Sequence, residues 1–124
     1  MSTYELQAQV TNATGRTINS YWIKHKPHAS SSHDDWGYGT NLADGDKGDE
    51  FTIQLESNTT DVWVVTYADD DNNLYASSYE FNAGIDHKDG DVEIKIEGSE
   101  AEVLQGSDKQ GSSAFNHAGD GRNT

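Results

Sequence analysis

Apolar and polar residues alternate in short stretches along most of this chain, and helical spacing is nearly absent. In the segment Tyr4, Leu6, Ala8, Val10 every second residue is apolar. The period returns in Phe51, Ile53, Leu55 and in Val92, Ile94, Ile96, where Glu93, Lys95 and Glu97 are the outward partners. A strand sends successive side chains to opposite faces, so this period builds sheets with one dry and one wet side. Thr17 to His25 reads as a strand rich in β-branched and aromatic residues, ended by Lys26-Pro27 because proline has no N–H to donate. Asp61 to Ala68 is apolar at both parities, as in a central strand covered on both faces. Leu74 to Phe81 and Ala101 to Gln105 supply further strands. Clusters of Asp, Asn and Gly separate these runs and tolerate the backbone angles of tight turns. The expected fold is all-β, a single antiparallel β-sandwich of about seven to eight strands. It occupies residues 1–105. Residues 106–124, rich in Gly, Ser and Asn with one large apolar residue, Phe115, are expected to form a flexible tail unless that ring docks back.

Charge narrows the function. The chain has 124 residues, with 22 Asp+Glu against 8 Lys+Arg, and a net charge of −14. One domain is expected at this length. The charge is uneven: +2 over residues 1–33, −16 over 34–105 and zero over 106–124. The acid therefore belongs to the folded body, and most of it lies in the turn clusters. A basic footprint for nucleic acid is missing, and anionic lipid would be repelled. The chain has no Cys, which excludes disulfides, thiol chemistry and Cys-ligated metals. No apolar run suits a transmembrane segment. The N-terminus MSTYELQAQV lacks the basic start and apolar core of a signal peptide. A cytoplasmic or non-classically exported protein is the resulting expectation.

No nucleophile elbow, P-loop or dinucleotide fingerprint occurs, and carboxylates are too abundant for any pair to stand out, so no enzyme is expected. Calcium is the one cofactor the spacing suggests. Asp69, Asp71, Asn73 and Glu80 fall where a calcium loop places oxygen ligands, although Leu74 stands where such a loop needs Gly and no helix flanks it. A hairpin turn built of Asp and Asn is the plainer reading of those residues. His25, His28 and His33 lie near Asp34 and Asp35 but lack the alternate-residue spacing that aims two imidazoles from one strand face. Asn12-Ala13-Thr14 and Asn58-Thr59-Thr60 match the glycosylation acceptor pattern and read as turns.

The polar stretch 27–41 reads as a long loop, and its end, Asp34-Asp35-Trp36-Gly37-Tyr38-Gly39-Thr40-Asn41, is the most suggestive segment. Aromatic rings offer an apolar face, while Asp and Asn exchange hydrogen bonds with hydroxyls. Asp34, Asp35, Trp36, Tyr38 and Asn41 are thus the candidate ligand residues. Two placements of Trp36 are open, facing solvent or plugging the end of the sandwich. Trp22 and Trp63 read as core.

Asn12-x-Thr14-Gly15-x-x-Ile18, His25-Lys26, Trp36, Gly45, Asp61-x-Trp63-x-Val65 and Tyr75 to Phe81 together resemble the small β-sandwich domain family named for up-regulation in long-lived daf nematode mutants. The resemblance spans roughly residues 4–97 and implies a compact sandwich without established catalysis; it carries no functional residue. The expected function is a lectin-like, non-enzymatic binding module for a glycan or other polar cell-surface ligand. A membrane-active defence protein and a calcium-stabilised structural protein are the alternatives. A free sandwich edge would also permit a homodimer.

Overall fold

The structure, a computed structural model, describes residues 3–77, 80–86 and 90–120. Eleven strands follow one another: β1 (Thr3–Ala13), β2 (Ile18–Lys26), β3 (Asp35–Leu42), β4 (Phe51–Glu56), β5 (Val62–Asp69), β6 (Asn73–Ala76), β7 (Phe81–Asn82), β8 (Val92–Glu97), β9 (Glu100–Gln105), β10 (Asp108–Ala114) and β11 (Asn116–Asp120). They form two sheets. One runs β10-β9-β8-β1-β4; the other runs β11-β6-β5-β2-β3, with β7 also on β5. The all-β sandwich is as expected, and its strand count exceeds the expected seven or eight. Pairing is antiparallel except between β1 and β8, which run parallel from Ala8↔Val92 to Ala13↔Glu97.

The additional strands have identifiable sources. All of β3 but its last residue, Leu42, lies in the stretch 27–41 read as a loop. Leu74 to Phe81, read as one strand, contributes β6 and β7 instead. The segment expected as a tail supplies β10 on β9 and β11 on β6. Phe115, between those two strands, packs edge-on to Tyr67 with ring centroids 4.9 Å apart. One docked ring and two ladders of backbone bonds offset the ordering entropy of this polar segment.

The core lies between the sheets. Ala8, Val10, Ile53, Leu55, Val92, Ile94 and Ile96 face it from one sheet, and Ile18, Tyr21, Ile23, Trp63, Val65 and Tyr67 from the other. Each fully buried aliphatic side chain contributes about 1.5–3 kcal/mol of transfer free energy. Trp63 is core, as expected, and its Nε1 donates to the Ala83 carbonyl at 2.9 Å. At one end of the sandwich Asn12 is completely buried. Its Nδ2 donates to the carbonyls of Arg16 (2.7 Å) and Leu42 (2.8 Å), and its Oδ1 accepts from the amide and hydroxyl of Thr14. Thus the first glycosylation-pattern Asn is a structural tie between turns.

Candidate ligand-binding face

β3 alternates large side chains with glycine, and its packing explains why. A Cβ on Gly37 would overlap the Phe51 ring, and one on Gly39 would come within 2.7 Å of the Tyr21 hydroxyl. The inner face of β3 therefore has room only for hydrogen at these positions. Trp36, Tyr38 and Thr40, at the intervening positions, fall on the outer face. The glycines suggested a loop; here they are strand residues that let Tyr21 and Phe51 close against the backbone.

On the outer face the register places Tyr38 opposite Trp22 and Trp36 opposite Lys24. On its other side Trp22 pairs with Thr66, and Lys24 with Val64. Trp22, Trp36 and Tyr38 retain 42%, 52% and 69% of their accessible surface, which makes one aromatic patch across two strands. Directly opposed side chains stand about 4.5–5.5 Å apart at Cβ, and positions i and i+2 about 6.6 Å apart. The Lys24 ammonium sits 6.0 Å from the centre of the Trp36 ring. Glu80 lies 3.3 Å from Lys26 and 4.0 Å from Lys24, so acid and base line one rim of the patch.

Beneath the patch lies a buried ionic cluster. His25 is on the inner face of β2, directly opposite Asp35, and is fully buried. Its Nδ1 is 2.9 Å from Asp35 Oδ2 and its Nε2 is 2.6 Å from Asp61 Oδ2. With both carboxylates ionised each can only accept, an arrangement that suits a ring donating from both nitrogens, the imidazolium form. Burial pushes the His25 pKa down, but the hydrogen bonds and charges of Asp35 and Asp61 outweigh it and hold the pKa above 6.5. Asp35 also accepts from His33 Nε2 at 2.7 Å and from the Gln54 amide at 2.8 Å. Burial pushes Asp35 up, yet the bonds from His25, Gln54 and His33 bring it below 3.8. Asp61 Oδ1 accepts from the Ile85 amide at 3.0 Å, and the Trp63 ring leans on His25 with centroids 4.5 Å apart.

Of the five candidate ligand residues, Trp36 and Tyr38 share the face. Asn41 is exposed just beyond it, in the left-handed region with φ of 54°. Asp34 stands at the other end, 4.0 Å from Lys26. Asp35 turns inward, so its carboxylate serves the His25 cluster. Trp22, read as core, is instead exposed and belongs to the patch. The signal was present: Tyr21, Ile23 and His25 point inward, which leaves Trp22 with Lys24 and Lys26 outside. Asp61 opens the segment read as a central strand, and no local spacing ties it to His25, 36 residues earlier in the chain.

The calcium candidates do not converge. Arg16 pairs with Asp69 at 3.4 Å and Asp71 at 2.7 Å, and also with Asp70. Asp69 Oδ1 accepts from the amides of Asp71 and Asn73, closing the turn. Glu80 lies by Lys26, whose partner on β5 is Val62, whereas Asp69 is at the opposite end of β5. The strand rise puts these ends about 23 Å apart. A guanidinium thus occupies the place a cation would take. Glu97, Glu100 and Glu102 approach one another closely, but Lys109 lies 3.5 and 3.4 Å from the last two.

No protein-family profile matches the chain, and no curated protein matches it. Among the described residues no helix is long and apolar enough to cross a membrane.

Proposed function

We propose that this protein is a non-enzymatic binding module that recognises a glycan through the outer face of β2 and β3. The observation that carries the reading is the exposure of Trp22, Trp36 and Tyr38 together on one strand pair. Each ring can stack on the apolar face of a sugar, and Thr40, Lys24 and Asn41 offer hydrogen-bonding groups around them. Sites on strands are held more rigidly than sites on loops, so little ordering entropy is lost on binding.

The same rings would also suit the headgroup level of a neutral membrane, which is the second reading. Depletion assays separate the two. The protein is mixed with insoluble cellulose, chitin, xylan and mannan, and in parallel with sphingomyelin–cholesterol vesicles. Glycan binding predicts retention by at least one polysaccharide and none by vesicles. Retention by vesicles alone would transfer the face to the membrane reading, and retention by neither would remove the glycan assignment.

A further inference from the structure

We propose that His25 is a positioning residue for the aromatic face: its doubly bonded ring anchors the first residue of β3, and loss of its proton frees that end of the strand. This inference rests on the reading of Trp36 and Tyr38 as the binding face. Among the described residues β3 is an edge strand, with β2 its ladder partner. Asp35, one residue before Trp36, holds its start to β2 through His25 and to β4 through the Gln54 amide. Rotation or fraying at Asp35 is passed directly to the adjacent Trp36.

Among the described residues, the charged groups facing His25 are Asp35 from β3 and Asp61 from the residue preceding β5. His33, in the β2–β3 connection, acts through Asp35. From β5 the Trp63 ring packs on His25, and β4 contributes only the Gln54 amide, to Asp35. A neutral imidazole has one N–H. When the ring gives its second proton to solvent, one nitrogen lone pair must confront a carboxylate oxygen. Asp61 is the better-held partner: its side chain is 3% exposed and fixed by the Ile85 amide. Asp35 is 10% exposed, lies on an edge strand and keeps two other donors. The neutral ring therefore keeps its bond to Asp61 and releases Asp35.

Nitrogen-detected NMR of the His25 ring, with amide exchange along β3 and β8 across the same pH range, tests this without any ligand. Both ring nitrogens are expected to carry protons at neutral pH. As the ring titrates at higher pH, the β3 amides bonded to β2 should lose protection by roughly tenfold or more, while those of β8 keep theirs. His25→Gln carries both its N–H donors on one nitrogen and an acceptor oxygen on the other branch, so it cannot reproduce a donor towards each of Asp35 and Asp61 and should show the low β3 protection at every pH. If that variant does not fold, the wild-type titration decides alone. A singly protonated ring at neutral pH, unchanged β3 protection through the titration, or parallel loss in β3 and β8 would each overturn the proposal. Failure of the glycan assays would leave this outcome standing, and an unmoved β3 would leave the glycan assays standing.

Discussion

Glycine and histidine decide the site at the scale of single residues. Gly37 and Gly39 face inward because a side chain there would strike Phe51 and Tyr21. Gly39→Ala should therefore destabilise the protein by about 1–3 kcal/mol, the usual cost of overpacking, as read by urea denaturation. An unchanged midpoint would show that Tyr21 moves aside freely. Asn12 makes a second prediction. Asn12→Leu takes the buried side-chain donor from the Leu42 carbonyl, while the Thr14 hydroxyl still reaches the Arg16 carbonyl; a buried orphan costs about 1–3 kcal/mol, so the melting temperature should fall clearly. Loss of the hydrogen bonds with no change in melting temperature would mean that solvent replaces the side chain there.

Strands were legible in the sequence where alternation was unbroken, and illegible where small residues did a strand's packing. β1, β4 and β8 stand out because Val, Ile and Leu return every second residue. β3 does not, because its inner positions are glycines, whose lack of a side chain looks like loop chemistry until Tyr21 and Phe51 are placed over them. β10 and β11 were hidden for a related reason. Their residues are polar, and they are held by strand pairing and by Phe115. The aromatic pair Trp36 and Tyr38 could be found from residue type alone. Its partner Trp22 required reading β2 in phase, and the His25 cluster joins residues on separate elements that no local spacing connects. At this scale the acidic turn after β5 also makes a prediction. Arg16 already pairs with Asp69, Asp70 and Asp71 and fills the space between them, so melting curves in millimolar calcium and in EDTA should coincide. A rise in melting temperature with calcium would show that the turn rearranges to release the arginine.

For the whole molecule, the −14 charge is not spread uniformly around the aromatic face proposed for binding. Lys24 and Lys26 stand beside the aromatic patch, balanced by Glu80 and Asp34. The face itself is near neutral, which suits an uncharged ligand on an acidic protein. Stability should also carry the signature of the buried cluster. His25 has its pKa raised above 6.5 in the folded state, so its contribution is complete below 6.5 and is lost as pH rises through the folded value. Asp35 has its pKa lowered below 3.8, so its contribution is complete above 3.8 and is lost as pH falls through the folded value. A melting-temperature profile should thus show a plateau between weak acid and neutral pH, with the alkaline decline absent in His25→Gln. An alkaline decline identical in the two proteins would assign it to other groups. The central claim concerns the face, and a glycan-array titration of the wild type beside a Trp36→Ala/Tyr38→Ala double variant tests it most directly. The wild type should bind at least one neutral glycan, and the double variant, still folded around Trp63, should bind it about a hundredfold more weakly, roughly tenfold for each lost ring. Equal affinity in the two proteins, or no binding by the wild type, would contradict the account.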